Sequence, residues 1–268
     1  MMKIINDISR RDFIYRLIAS GAVLGGVSLF GKQIFAIGNI NPIRRFHISL
    51  QAEAWLKNPE LIGIMKNAGI TDVWMGSYLQ GKWHHTPKEL RKSADFLESK
   101  GFKSHVLTVP LGHPGNAIDP SDDSWSEKKQ NWKNACDYDG SLYLGTSIHS
   151  PVVEDNIEAH KLLAAEGFDI LFLDDDFRLG KYPGKIGGCF CDDCKNEFLG
   201  KYDYNSDDWK VLIESVEKRN PTKVLRSWIE YICDKEYNMF VALQKATPQM
   251  EVGIMVMYFG AEKSGIDL

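Results

Sequence analysis

Three times between residues 46 and 173 the chain repeats one pattern: a short apolar run, a helix opened by a polar residue and proline, and a glycine that stops it. Asn58-Pro59 supplies an N-cap and a first-turn proline, Leu61, Ile62, Met65 and Ala68 form the apolar face, and Gly69 ends the helix. Thr86-Pro87 and Gly101 bracket a second helix, and Ser150-Pro151 and Gly167 a third. The runs between them, 46–51, 71–76, 103–109 and 168–173, have strand length. The last is apolar on both faces except Asp169, as a parallel strand covered by helices must be. Helical patterns follow at 192–202, 207–218 and 222–246, then a fifth apolar run at 251–258. Such alternation predicts an α/β fold of βαβ units.

Two architectures satisfy it: an open doubly wound sheet, or the first strands of a (β/α) TIM-type barrel. No glycine-rich phosphate loop follows any strand, which argues against a nucleotide-binding sheet. Long connections at 77–85, 110–149 and 174–190 follow strands two, three and four, on the side where a barrel builds its site. The expectation is a barrel truncated after its fifth strand, occupying residues 39–268.

Residues 1–38 read as a leader. Ser9-Arg10-Arg11-Asp12-Phe13-Ile14 matches a twin-arginine export signal, followed by an apolar stretch from Leu17 to Phe30. As helix that stretch spans about 21 Å, short of the ~30 Å bilayer core. Ala36-Ile37-Gly38 offers a cleavage site; an uncleaved anchor is the alternative. Partners and address follow: the twin-arginine export machinery, a periplasmic or secreted location, and no stable membrane span after cleavage. The leader carries a net charge of +3, so the formal −4 of the whole chain leaves an acidic remainder. Nothing resembles a basic nucleic-acid surface.

Cys189-Phe190-Cys191-Asp192-Asp193-Cys194 places three thiols at C-x-C-x2-C spacing, suited to wrapping one tetrahedral metal. Cys136, in the connection after the third strand, is the candidate fourth ligand, because neighbouring strands bring those two connections together. Four cysteines would close a zinc site and make it structural. Two disulfides formed after export are the alternative. Cys233 lies on an apolar helix face and reads as inert core.

The fourth strand ends in Asp174-Asp175-Asp176. Like charges sharing a pocket raise a pKa, which suits a general acid. The alternative has Asp174 capping the strand end and binding Arg178. Leu173-Asp174-Asp175-Asp176-Phe177, the cysteine triplet and one upstream cysteine together resemble the thermophilic-type β-galactosidases of glycoside hydrolase family 42. Those are eight-stranded (β/α) barrels with a four-cysteine zinc cluster, whose fourth strand ends Asp-Asn-Glu-Tyr with Glu as acid/base. The resemblance implies zinc at Cys136, Cys189, Cys191 and Cys194, and an acid/base role for Asp176. Asp replaces both Asn and Glu here, and the family's nucleophile is a Glu near the end of strand seven, expected beyond Leu268.

Carbohydrate-binding candidates stand after the other strands: Glu53 after the first, Trp83 after the second, His113 after the third, Arg178 after the fourth and Tyr258 after the fifth. Aromatic faces and polar tips are what a sugar cleft needs. His84-His85 lacks a fixed carboxylate partner, and His105, inside a strand, reads as a hydrogen-bonded core histidine. The function expected is an exported glycoside hydrolase with a structural zinc; the alternative is a non-catalytic carbohydrate-binding barrel.

Overall fold

The computed structural model describes residues 45–111, 131–149, 151–174, 177–180 and 186–255. The leader at 1–38 lies outside them. In chain order the elements are β1 (His47–Leu50), α1 (Ala54–Lys57), α2 (Leu61–Asn67), β2 (Asp72–Leu79), β3 (Lys82–Trp83), α3 (Pro87–Ser99) and β4 (Lys103–Val109). There follow β5 (Asn134–Cys136), β6 (Leu142–Thr146), α4 (Val152–Ala165), β7 (Ile170–Leu173), α5 (Asp192–Tyr202), α6 (Ser206–Lys218), α7 (Lys223–Ala246) and β8 (Glu251–Ile254).

The main sheet runs β1-β2-β4-β7-β8, every pair parallel. Each new strand is added on the same side of the last. A doubly wound sheet would reverse direction at a switch point; this one does not, so its winding is that of a (β/α) barrel. Val73, Met75, Val106, Leu171 and Leu173 form its fully buried face. Register pairs Ser49 with Trp74, Trp74 with His105, Leu107 with Phe172 and Phe172 with Gly253, so these share the other face. His47, Ser49, Trp74, Leu107, Phe172 and Met255 line a pocket of about 400 Å³ there. No helix of the described residues is long and apolar enough to cross a membrane.

Local chemistry explains most boundaries. Thr86 accepts the Glu89 amide while Glu89 accepts the Thr86 amide, a full capping box at the start of α3. Gly69, Gly101 and Gly167 take the left-handed conformation after their helices, as expected. Asn58 does otherwise. It ends α1, its backbone and side-chain N–H groups both donating to the Ala54 carbonyl, and α2 starts at Leu61 without a side-chain cap. Trp55 is the reason: 1% exposed, it must enter the core within a turn of β1. Pro151, without a side-chain cap, occupies the N-cap of α4, and Ser150 lies outside the described residues.

Two hairpins occupy connections that read as loops. Gln80 and Gly81, with φ of 54° and 80°, turn β2 back into β3. Positive φ at both central residues matches the twist of paired strands. The second hairpin pairs β5 with β6 antiparallel.

One group of buried polar residues surrounds Asp72 at the start of β2. Asp72, wholly buried, accepts from Arg45, from the Thr71 hydroxyl at 2.6 Å and from His105 Nε2 at 2.9 Å. His105 is the core histidine the sequence indicated. His160 on α4 is also wholly buried, and neither ring nitrogen has a hydrogen-bond partner among the described residues. Burial lowers its pKa to about 4 from an ordinary 6.5. Between those values the unfolded chain binds a proton that the folded chain refuses. Stability is therefore full above pH 6.5 and is lost as pH falls toward 4, by about 3 kcal/mol in all. Urea titrations from pH 7 to pH 4 should show this slope in the wild type and a shallower one in His160→Leu; identical slopes would remove His160 from the account.

Candidate functional site

The Sγ atoms of Cys189, Cys191 and Cys194 lie within 4.8 Å of one another. Sequence produces this directly. Cys191 is the N-cap of α5, and Cys194 is one turn further on, so both face the helix start. Gly188, at φ 116°, turns the chain so that Cys189 joins them. A tetrahedral zinc with ~2.3 Å bonds sets its sulfurs about 3.8 Å apart, so these thiols would need only small shifts to bind. Three clustered cysteines can therefore hold a metal ion. Cys136 ends β5 against the same knot: its amide points at Cys189 Sγ at 3.5 Å, and its carbonyl accepts the Phe190 amide at 2.8 Å. Its own thiol lies outside the triplet and contacts the Asp137 carbonyl. None of the five cysteines is in a disulfide.

The thiols are electrostatically unequal. Hydrogen bonds with Cys189 and Cys194 push Cys191 far down, and hydrogen bonds with Cys189 and Cys191 push Cys194 far up. Burial raises Cys136, helped by charge at Cys189 and Cys191. A cysteine whose thiolate is favoured in this way, at a helix N-terminus, is a suitable first ligand for a cation.

Asp174 follows β7 directly. Its amide donates to the Thr108 carbonyl at 3.0 Å, and its carbonyl accepts the Phe177 amide at 2.8 Å. Asp175 and Asp176 lie outside the described residues. Arg178 is 7% exposed and sits beside the buried carboxyl of Glu236 on α7.

Further along the C-terminal edge of the sheet, Glu53 follows β1 and pairs with His85 and Lys57. Burial raises its pKa, but the Lys57 hydrogen bond and the His85 charge leave it lowered overall. Trp83, half-buried, packs on Tyr78 with ring centroids 5.0 Å apart, and Trp132 meets Tyr78 edge-on at 6.4 Å. Burial, then the charge of Asp155, raises Tyr78 to about 12. His84 is exposed. His113 and Tyr258 lie outside the described residues.

The segment joining the acidic run to the cysteines is held by α7. Trp228 Nε1–H donates to the Gly187 carbonyl at 2.8 Å, and Glu236 accepts the Leu179 amide. The Gly188 amide closes the segment on the Leu179 carbonyl at 2.6 Å. The Trp228 ring packs on Phe190 at 4.6 Å, and Tyr143 donates to the Gly188 carbonyl at 3.1 Å. Sequence reasoning missed Glu236, Trp228, Trp132 and Tyr143. Glu236 had a signal, since it falls in phase with the buried stripe Trp228, Ile232, Met239 and Leu243.

No family model matches the chain, and no curated protein does. Among solved structures, α-L-fucosidase isoenzyme 2 from Paenibacillus thiaminolyticus aligns at 12% identity and TM-score 0.46, over 80% of this chain and 33% of that one. Mannonate dehydratase from Streptococcus suis serotype 2 aligns at 12% identity and TM-score 0.34, over 78% and 52%. The chain thus spans a third and about half of the two proteins. The similarity is distant; the barrel winding rests on the strand order described above.

Proposed function

We propose that this chain belongs to an exported glycoside hydrolase whose general acid/base is Asp176, with a structural zinc held by Cys136, Cys189, Cys191 and Cys194. The observation that carries the reading is the juxtaposition at one sheet edge. A three-thiol knot is tied by ten residues, Leu179 to Gly188, to an acidic strand end, on a sheet wound as a barrel. Barrel chemistry is built at the C-terminal ends of strands. Trp83, partly exposed and backed by the buried Tyr78, and the Glu53–His85 pair, at neighbouring strand ends, support a carbohydrate as ligand: a flat ring to stack a sugar and charged tips to bind hydroxyls. Asp174 and Asp175 would keep the Asp176 proton in place by charge repulsion. His113, Arg178 and Tyr258 complete the proposed substrate contacts.

The zinc would neutralise thiolate charge and fix the wall of the site, leaving proton transfer to the carboxylates. Export by the twin-arginine route and a periplasmic or secreted location belong to the same proposal, on the leader sequence.

The test is Asp176→Asn assayed on a panel of nitrophenyl glycosides. Loss of about 10²–10⁴-fold in turnover, with sugar binding kept, is the expected result. Unchanged turnover removes Asp176 from the chemistry. A wild type that binds sugars but turns none over indicates a carbohydrate-binding barrel instead.

A further inference from the structure

We propose that Glu236 is a positioning residue that couples the metal knot to the acidic end of β7, through the grip of α7 on the segment between them. The proposal rests on the metal reading given above.

The Leu179–Gly188 segment has the acidic run on one side and Cys189 on the other. Its ends are pinned to each other through the Gly188 amide and the Leu179 carbonyl. Both ends are also pinned to one helix: Leu179 to Glu236, and Gly187 to Trp228. Glu236 and Trp228 are about two turns apart on α7, so a rigid rod sets both points.

Glu236 is 2% exposed, and its Oε2 has no hydrogen-bond partner among the described residues. A leucine there would continue the apolar stripe of α7 without the desolvation cost of a carboxyl. What a leucine could not do is accept the Leu179 amide. That bond, with the Arg178 guanidinium alongside, fixes the backbone next to Phe177, whose own amide returns to the Asp174 carbonyl. A displacement at Leu179 is therefore passed through Phe177 to Asp174 in one direction and to Gly188 and Cys189 in the other.

The experiment uses the full chain as wild type, Glu236→Gln and Glu236→Leu. Three readouts are taken: zinc transfer to a chromophoric chelator, thiol reaction of the reduced metal-free protein with Ellman's reagent, and hydrogen exchange at the Phe177 and Leu179 amides with and without zinc. In the wild type, zinc should slow exchange at both amides. Glu236→Leu should abolish that response and release zinc about tenfold faster, the worth of one buried hydrogen bond. Glu236→Gln keeps an acceptor for the amide and should return both readouts close to wild type.

A folded Glu236→Leu protein with wild-type zinc release and a wild-type exchange response overturns the proposal. If that variant does not fold, Trp228→Phe decides: it keeps an aromatic ring and deletes the Gly187 bond, and wild-type zinc release in it also overturns the proposal. If the wild type binds no zinc, the metal reading has failed and the thiol reaction decides the coupling. Faster reaction in Glu236→Leu sustains it, and equal rates end it.

Discussion

Gly188→Ala is expected to lower stability by about 3 kcal/mol or more, among the largest effects of any single methyl added to this chain. Two independent costs add at that position. A Cβ on Gly188 would sit 2.4 Å from Trp228 Cζ2, where real Cβ contacts are not found, and the residue's φ is 116°. Trp228 cannot retreat easily, because it is wholly buried and bonded to the Gly187 carbonyl. For a domain of this size the loss amounts to a fall in melting temperature of roughly 6–12 °C. Gly63→Ala is the matched control: nothing lies within 4 Å of its Cβ, so the substitution should be neutral or stabilising by about 0.5–1 kcal/mol. Thermal melts of both variants check the pair, and a Gly188→Ala protein that melts with the wild type would overturn the expectation.

Cys194→Ser is expected to abolish stoichiometric zinc binding and to remove the chelator sensitivity of the melting temperature. Cys194 is 2% exposed and has two thiols as neighbours, so its replacement takes away one of the three clustered ligands. Any metal that binds only the folded state adds stability by mass action, about 4 kcal/mol at a thousandfold excess over its dissociation constant. The wild type should therefore melt lower in chelator, and Cys194→Ser should melt equally low with or without it. Cys136→Ser should bind zinc more weakly than the wild type, in line with its place beside the triplet. Cys233→Ser should keep one zinc per chain, because Cys233 belongs to the buried stripe of α7 and not to the knot. Elemental analysis after gel filtration measures all four proteins. Equal metal loss in Cys194→Ser and Cys233→Ser would falsify the assignment of the triplet.

The strand–helix alternation was legible because proline, threonine and glycine punctuate it. Lys103–Val109 begins and ends where its apolar run does, and Thr86, Glu89 and Gly101 mark α3 by mechanism. Asn58 misled because cap preference is local, while the turn it enters is set by burial of Trp55, a demand of the core. The β2–β3 hairpin was written in Gln80-Gly81, a weaker signal than Asn-Gly and easily lost inside a connection. The thiol triplet was readable because its members are neighbours along the chain. The brace around it was not: Glu236 and Trp228 act at separations of 57 and 41 residues, and charge on a long helix ordinarily means a solvated face.

Those separations also set an order of manufacture. Synthesis proceeds from the N-terminus, so Cys189, Cys191 and Cys194 leave the ribosome well before Trp228, and Leu179 waits longer still for Glu236. The nascent chain can bring its three thiols together early, since their contacts are local. It cannot lock them to the end of β7 until α7 has emerged. Until then the triplet stands without the Trp228 and Glu236 contacts that hold its flank in the finished protein.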